Sequence, residues 1–141
     1  MITIREVLFK AKRTDNGKWI EGSLIRGVFV RCADNQDIPY ILNIDDIECD
    51  YDNFGDLTDG FGYYEVNPDT ICQFTGLVDK NGDKIWESDI VSIDEELYVV
   101  TWEEDDAMFA LEDVGVIEHF SNVDSKWCEV IGNKIDNPEL V

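Results

Sequence analysis

Residues 70–91 read "TICQFTGLVDKNGDKIWESDIV", and the reading of this run decides the fold. A metal loop, a catalytic turn and a plain hairpin would all set polar residues between two apolar stretches. The residues favour the hairpin. Asn81-Gly82 turns the chain, the short Asp79 side chain can accept hydrogen bonds from nearby backbone, and Ile85, Trp86, Ile90 and Val91 supply apolar surface. A calcium loop fails on position. Counted from Asp79, oxygen-bearing residues fall at the first, third and fifth places, but Lys84 stands where the sharp turn needs glycine. Ile90 stands where the bidentate glutamate belongs.

Working outward, strands are expected at about 84–93, 96–103, 107–111 and 127–134. The run Leu97-Tyr98-Val99-Val100-Thr101-Trp102 has the β-branched and aromatic composition that sheets favour. Residues 112–120 read as a short helix, against the grain of Val114, Gly115 and Val116. Towards the N-terminus, Val7, Phe9 and Ala11 alternate with lysines. Asn16-Gly17 then predicts a type I′ turn with positive φ at both residues, pairing strands at about 5–13 and 18–25. Another strand is expected at Val28–Arg31 and one at Tyr40–Ile44. The segment 45–62 is rich in Asp, Asn and Gly. A loop of that length is expected to be mobile or functional. The similarity of "NGKWIEGSLI" (16–25) and "NGDKIWESDI" (81–90) reflects shared turn chemistry rather than duplication.

The chain has 141 residues and a formal net charge of −21, with 32 acids against 11 bases. The charge is uneven. Residues 1–31 hold seven bases and three acids, a net of +4, so residues 32–141 carry four bases against 29 acids, a net of −25. Direct nucleic-acid binding and attachment to anionic membrane are disfavoured at this charge. An apolar fraction of 44% supplies a core. No apolar run approaches the roughly 20 residues of a membrane span, and the first residues do not open a signal peptide. The expectation is a cytoplasmic protein. Cys32, Cys49, Cys72 and Cys128 are scattered, without the paired spacing of a zinc site, and read as free, mostly buried thiols.

Each candidate chemistry meets a structural alternative. A calcium loop counted from Asp50 places Asp52 third and Gly55 sixth, but Phe54 and Phe61 fall on ligand positions. Glu103-Glu104-Asp105-Asp106 reads as a solvated turn before an acid/base couple. His119 is the single histidine and has no nucleophile motif beside it. Trp19, Trp86, Trp102 and Trp127 fall in expected strands and read as core or interface residues, since base stacking needs a positive groove alongside. No catalytic residue, cofactor or metal site is expected. The charge itself is the remaining feature. The acids Asp45, Asp46, Glu48, Asp50, Asp52, Glu103, Glu104, Asp105 and Asp106 form the candidate acidic interaction surface.

The run "EVNPDTICQFTGLVDKNGDKIWESDIV" (65–91) resembles the hallmark of the YopX family of phage and prophage proteins. The shared features are Pro68, Thr70, Gln73, Phe74, Thr75-Gly76-Leu77, Asp79-Lys80-Asn81-Gly82, Ile85-Trp86-Glu87 and Asp89-Ile90-Val91. "EVIGNKIDNPELV" (129–141) resembles the family's ending and "NGKWIEG" (16–22) its N-terminal piece, so the resemblance covers about 60% of the chain. Two positions depart: the family usually has glycine at Cys72 and at Ser88. A site that needs positive φ would hold a non-glycine residue at a cost of about 1 kcal/mol or more. The resemblance implies small, mostly β domains, an SH3-like barrel in the C-terminal part, and no catalytic residues. Pro68, Thr75, Gly76, Asn81 and Gly82 then read as turn chemistry.

The expected fold is mainly β, or α+β if 112–120 is helical. An N-terminal β-meander (about 1–66) packs on a small SH3-like C-terminal β-barrel (about 67–141). The expected function is that of a non-enzymatic phage accessory protein binding a host or phage protein. The alternatives are an acidic mimic of DNA and a metal-dependent enzyme using the 45–59 carboxylates. Unpaired strand edges, or a swap through the 45–62 loop, also lead to an expected homo-oligomer.

Overall fold

The structure, a computed structural model, describes residues 6–26, 38–43, 50–51, 57–59, 62–113, 116–120 and 125–141. They form two compact units, one of Leu8–Ile71 and one of Cys72–Val141 with Met1–Val7. Strands supply nearly all the regular structure, and both units are antiparallel.

In the first unit β1 (Phe9–Lys12), β2 (Trp19–Arg26), β3 (Pro39–Leu42) and β6 (Tyr63–Glu65) lie in the order β6-β3-β2-β1. Lys12 pairs with Trp19 and Phe9 with Gly22, as the expected first hairpin requires. Its turn differs from the predicted type I′. Four residues, Thr14–Gly17, separate Arg13 from Lys18, and of the Asn-Gly pair only Gly17 has positive φ, 70°. The Asn16 side chain instead accepts the Lys18 N–H at 2.9 Å, a local bond that substitutes for the tight turn. The alternation of β1 to β3 buries Ala11, Ile20 and Ile41, joined by Val66, with Phe9, Leu24, Tyr64 and Ile71 alongside. Gly22 is required by proximity: a Cβ there would run into the Leu42 backbone carbonyl. The expected strand at Val28–Arg31 lies outside the described residues. The expected 45–62 loop contains a short antiparallel pair, β4 (Asp50–Tyr51) with β5 (Leu57–Asp59).

"NPDT" closes this unit. Asn67 caps the 3-10 turn Pro68–Thr70 by accepting the Asp69 N–H, and its own N–H donates to the Lys12 carbonyl at 2.8 Å. The Thr70 hydroxyl donates to the Asn67 carbonyl at 2.7 Å and accepts the Lys12 N–H at 2.8 Å.

In the second unit β7 (Cys72–Val78) and β8 (Lys84–Trp86) form the hairpin read from the motif. β9 (Asp89–Ile93), β10 (Glu96–Glu103), β11 (Met108–Asp113), β12 (Val116–His119) and β13 (Glu129–Asn133) form a sheet in the order β12-β11-β10-β9-β13. Four strands meander, and the last returns to pair with the first. Among the described residues no ladder joins β12 to β13, so the sheet is open rather than a closed barrel. The expected helix over 112–120 is overturned. Val116 and Ile117 belong to β12, paired with Asp113 and Glu112, because β-branched side chains fit a pleated surface. The core is Ile85, Val91, Val100, Phe109, Leu111, Phe120 and Cys128, with Leu77, Ile93, Tyr98 and Val130 packed against it.

Candidate functional site

Thr75, Asp79 and Asp89 of the 70–91 run spend their side chains on backbone groups. Asp79 is 4% exposed, and its Oδ1 accepts the N–H groups of Asn81 and Asp83, each at 2.9 Å. Its Oδ2 reaches across to the Val130 N–H in β13 at 3.0 Å. Burial pushes this carboxyl up. The Val130, Asp83 and Asn81 amides, with Lys80, outweigh it and hold Asp79 below the ordinary 3.8. Gly82, at φ 84°, completes a three-residue loop, with the Asp79 N–H donating to the Asp83 carbonyl at 2.8 Å. Asp89, 2% exposed, accepts the Trp86 N–H at 2.8 Å. Thr75 and Gly76 were read as turn residues, yet they form an irregularity inside β7. Gly76 has φ 88°, and the Thr75 hydroxyl donates to the Ile85 carbonyl at 2.8 Å.

The two departures from the family pattern differ in kind. Ser88 has φ 75°, in the left-handed region, and Cys72 does not. Ser88 is held there by its N–H to the Val100 carbonyl at 2.8 Å and by the Lys134 N–H to its own carbonyl at 2.9 Å.

The candidate acids separate into two groups. Asp45, Asp46, Glu48 and Asp52 lie outside the described residues, and Asp50 is placed by its backbone in β4. Glu103 ends β10, and Glu104, Asp105 and Asp106 stand exposed in the turn to β11, closed by the Ala107 N–H on the Glu104 carbonyl at 3.2 Å. The fold brings His119 of β12 to this turn, its Nε2 3.3 Å from Asp106 Oδ2, with both side chains open to water. Cys72 and Cys128 are buried, as read for the thiols. Cys32 and Cys49 lie outside the described residues. Among the described residues no three His, Cys, Asp or Glu side chains gather as a metal site. No helix among them is long and apolar enough to cross a membrane.

Two features escaped the sequence reading. Trp127, placed there in a strand, occupies the Ser125–Cys128 turn, closed by the Cys128 N–H on the Ser125 carbonyl at 3.2 Å, and is 71% exposed. The Asp-Ser pair ahead of it is the turn signal that could have revealed this. Trp102 is 42% exposed, its ring edge-on to Phe109 at 5.1 Å, whereas Trp86 is buried. The second feature is a cleft of ≈ 550 Å³ between β10, β11 and the C-terminal tail, lined by Leu97, Val99, Glu112, Asp113, Lys134, Leu140 and Val141.

These features define a mainly β protein of two antiparallel units whose signature residues maintain turns. The YopX protein family matches residues 8–141, and the chain belongs to that family. It is similar to the crystal structure of protein EF1440 from Enterococcus faecalis, at 24% identity and a TM-score of 0.56, over 96% of this chain and 97% of that one. That likeness concerns the fold alone. No curated protein matches the chain.

Proposed function

We propose that this protein is a non-enzymatic phage or prophage accessory protein that binds a host or phage protein in the host cytoplasm. The observation that carries the reading is Trp127, a large aromatic side chain 71% open to solvent on a turn, beside Lys126. Tryptophan dominates binding energy at protein interfaces, and leaving it in water is unfavourable without a partner. The family's signature residues support the same view, since Thr70, Asp79 and Asp89 act on backbone groups. The path of the C-terminal sheet, a meander whose last strand returns to its first, supports an SH3-like kinship for this unit.

Acidic mimicry of DNA is the second reading. It is favoured by the net −25 of residues 32–141 and by the exposed Glu104-Asp105-Asp106 turn. The experiment is capture from host lysate at low and high salt, with and without duplex DNA, using wild type and Trp127→Ala. A partner that survives salt, ignores DNA and is lost with Trp127→Ala supports the first reading. A nucleic-acid-binding protein released by both salt and DNA replaces it with mimicry.

A further inference from the structure

Alternation sorts the side chains along one seam of the C-terminal unit, where the end of β7 meets the start of β13. Leu77 and Val130 pack against the core, Cys128 belongs to it, and the Asp79 carboxylate turns inward to the Val130 N–H. Successive residues of extended chain point to opposite faces, so Val78, Lys80 and Glu129 point outward together. Trp127, one residue before the buried Cys128, stands out beside them. Two contacts join the two sides of the seam. The Lys80 N–H donates to the Cys128 carbonyl at 3.0 Å, and the Lys80 ammonium lies 3.3 Å from Glu129 Oε2. Trp127 is 71% exposed and Val78 47%, and Ile131, at the bulge in β13, is 43% exposed two positions beyond Glu129. Apolar side chains grouped in this way and rimmed by charge mark a contact surface.

The charge here is of the opposite sign to the rest of the unit. Residues 72–141 hold four bases against 18 acids, a net of −14. Three of those bases stand at the seam. Lys80 lies in it, Lys84 is the cross-strand partner of Val78, which puts both side chains on one face, and Lys126 precedes Trp127. Of the nearest described acids, Glu129 is taken by Lys80. Asp83 is paired with the inward-facing Asp79, whose N–H donates to its carbonyl, and so lies on the other face of the hairpin. Lys84 and Lys126 make no ion pair among the described residues. Exposed charges act over about 8 Å at physiological ionic strength, so a group docked on Trp127 meets these ammoniums before the more distant carboxylates.

We propose that this seam binds a protein segment presenting apolar side chains flanked by carboxylates. The apolar side chains lie on Trp127 and Val78, and the carboxylates meet Lys84 and Lys126. Burial of the indole supplies affinity, and the matched charges select the partner. The inference rests on the protein-binding reading and specifies the chemistry of the partner.

The test is amide NMR of the intact protein titrated with a capped hexapeptide, a central leucine-phenylalanine pair with two aspartates on each side. Two counterparts accompany it, one with asparagine for aspartate and one with alanine for the central pair. The expected result is saturable shifts at Val78, Lys80, Glu129 and Ile131 and at the Trp127 indole. Binding should be at least about tenfold weaker for both counterparts, for Trp127→Ala and for K84E/K126E, all exposed positions whose substitution leaves the core intact. Glu129→Gln releases Lys80 and should tighten binding, a gain that damaged folding would not produce. Equal binding of the asparagine peptide, unchanged binding in K84E/K126E, no gain in Glu129→Gln, or shifts that do not saturate at the seam would overturn the proposal. In the lysate experiment, a partner lost with Trp127→Ala but captured equally by wild type and K84E/K126E overturns the acidic epitope and leaves protein binding intact. Saturable binding of the acidic peptide with no captured partner keeps the chemistry of the seam and removes that reading.

Discussion

Asp79 joins the 79–83 loop to β13, and removing its carboxylate should unlatch the C-terminal unit. In Asp79→Ala the Val130 N–H, part-buried in the strand, loses its acceptor, a loss of about 1–3 kcal/mol. The Asn81 and Asp83 amides sit at an exposed tip where water can replace the carboxylate, so each contributes roughly 0.5–1 kcal/mol. Release of the buried carboxylate offsets part of the sum, leaving a loss of about 3 kcal/mol. In Asp79→Asn one oxygen serves the loop, but the new NH2 group opposes the Val130 N–H, donor against donor, for a loss of about 2 kcal/mol.

Urea unfolding followed by tryptophan fluorescence measures both. With m of about 1–2 kcal/mol/M, Asp79→Ala should lower the midpoint by roughly 1.5–3 M, while exposed Asp105→Ala should stay within about 0.5 kcal/mol of wild type. The pH dependence has a fixed sign. The folded pKa lies below the ordinary 3.8, so the unfolded chain binds the proton more readily. The Asp79 contribution is complete above the unfolded value and is lost as pH falls through the folded one. The gap between wild type and Asp79→Asn should therefore be constant near neutrality and narrow below pH 3.8. A midpoint shift under about 0.3 M for Asp79→Ala, or a gap that does not narrow in acid, refutes the latch.

Three further outcomes are expected. Ser88→Gly should stabilise by about 0.5–1 kcal/mol, since relief of left-handed strain at φ 75° exceeds the added freedom of the unfolded chain, whereas β-branched Ser88→Val should destabilise by about 1 kcal/mol or more. The same urea curves decide the order of the three. Gly22→Ala should cost about 1–3 kcal/mol, because its Cβ collides with the Leu42 carbonyl, and hydrogen exchange should localise the loss to β2 and β3. Glu96→Gln should bring the Tyr98 phenol down from about 12 towards 10.0, read by NMR of the tyrosine ring carbons, because its first cause is the hydrogen bond to that carboxylate.

The 70–91 run determined its own hairpin because every signal in it is local. Asn-Gly supplies the turn, Asp79 bonds amides two and four residues away, and Ile85, Trp86, Ile90 and Val91 are all buried. Alternation likewise placed the β1–β2 pair. Where local preference was divided, the neighbouring strand decided. Val116 and Ile117 are strand because β11 offers them a ladder, a partner invisible to their own neighbours in the chain. The third bond of Asp79, to Val130, spans 51 residues and belongs to the fold alone. The demand for positive φ at Ser88 arises between the Val100 carbonyl and the Lys134 amide, so the sequence could pose the question and only packing could answer it. The candidate surfaces divide in the same way. The sequence by itself determined the acidity, because charge is a sum over residues. The exposure of Trp127 and the cleft beneath the tail depend on which surfaces remain uncovered after the chain has folded, and only the tertiary structure decided those.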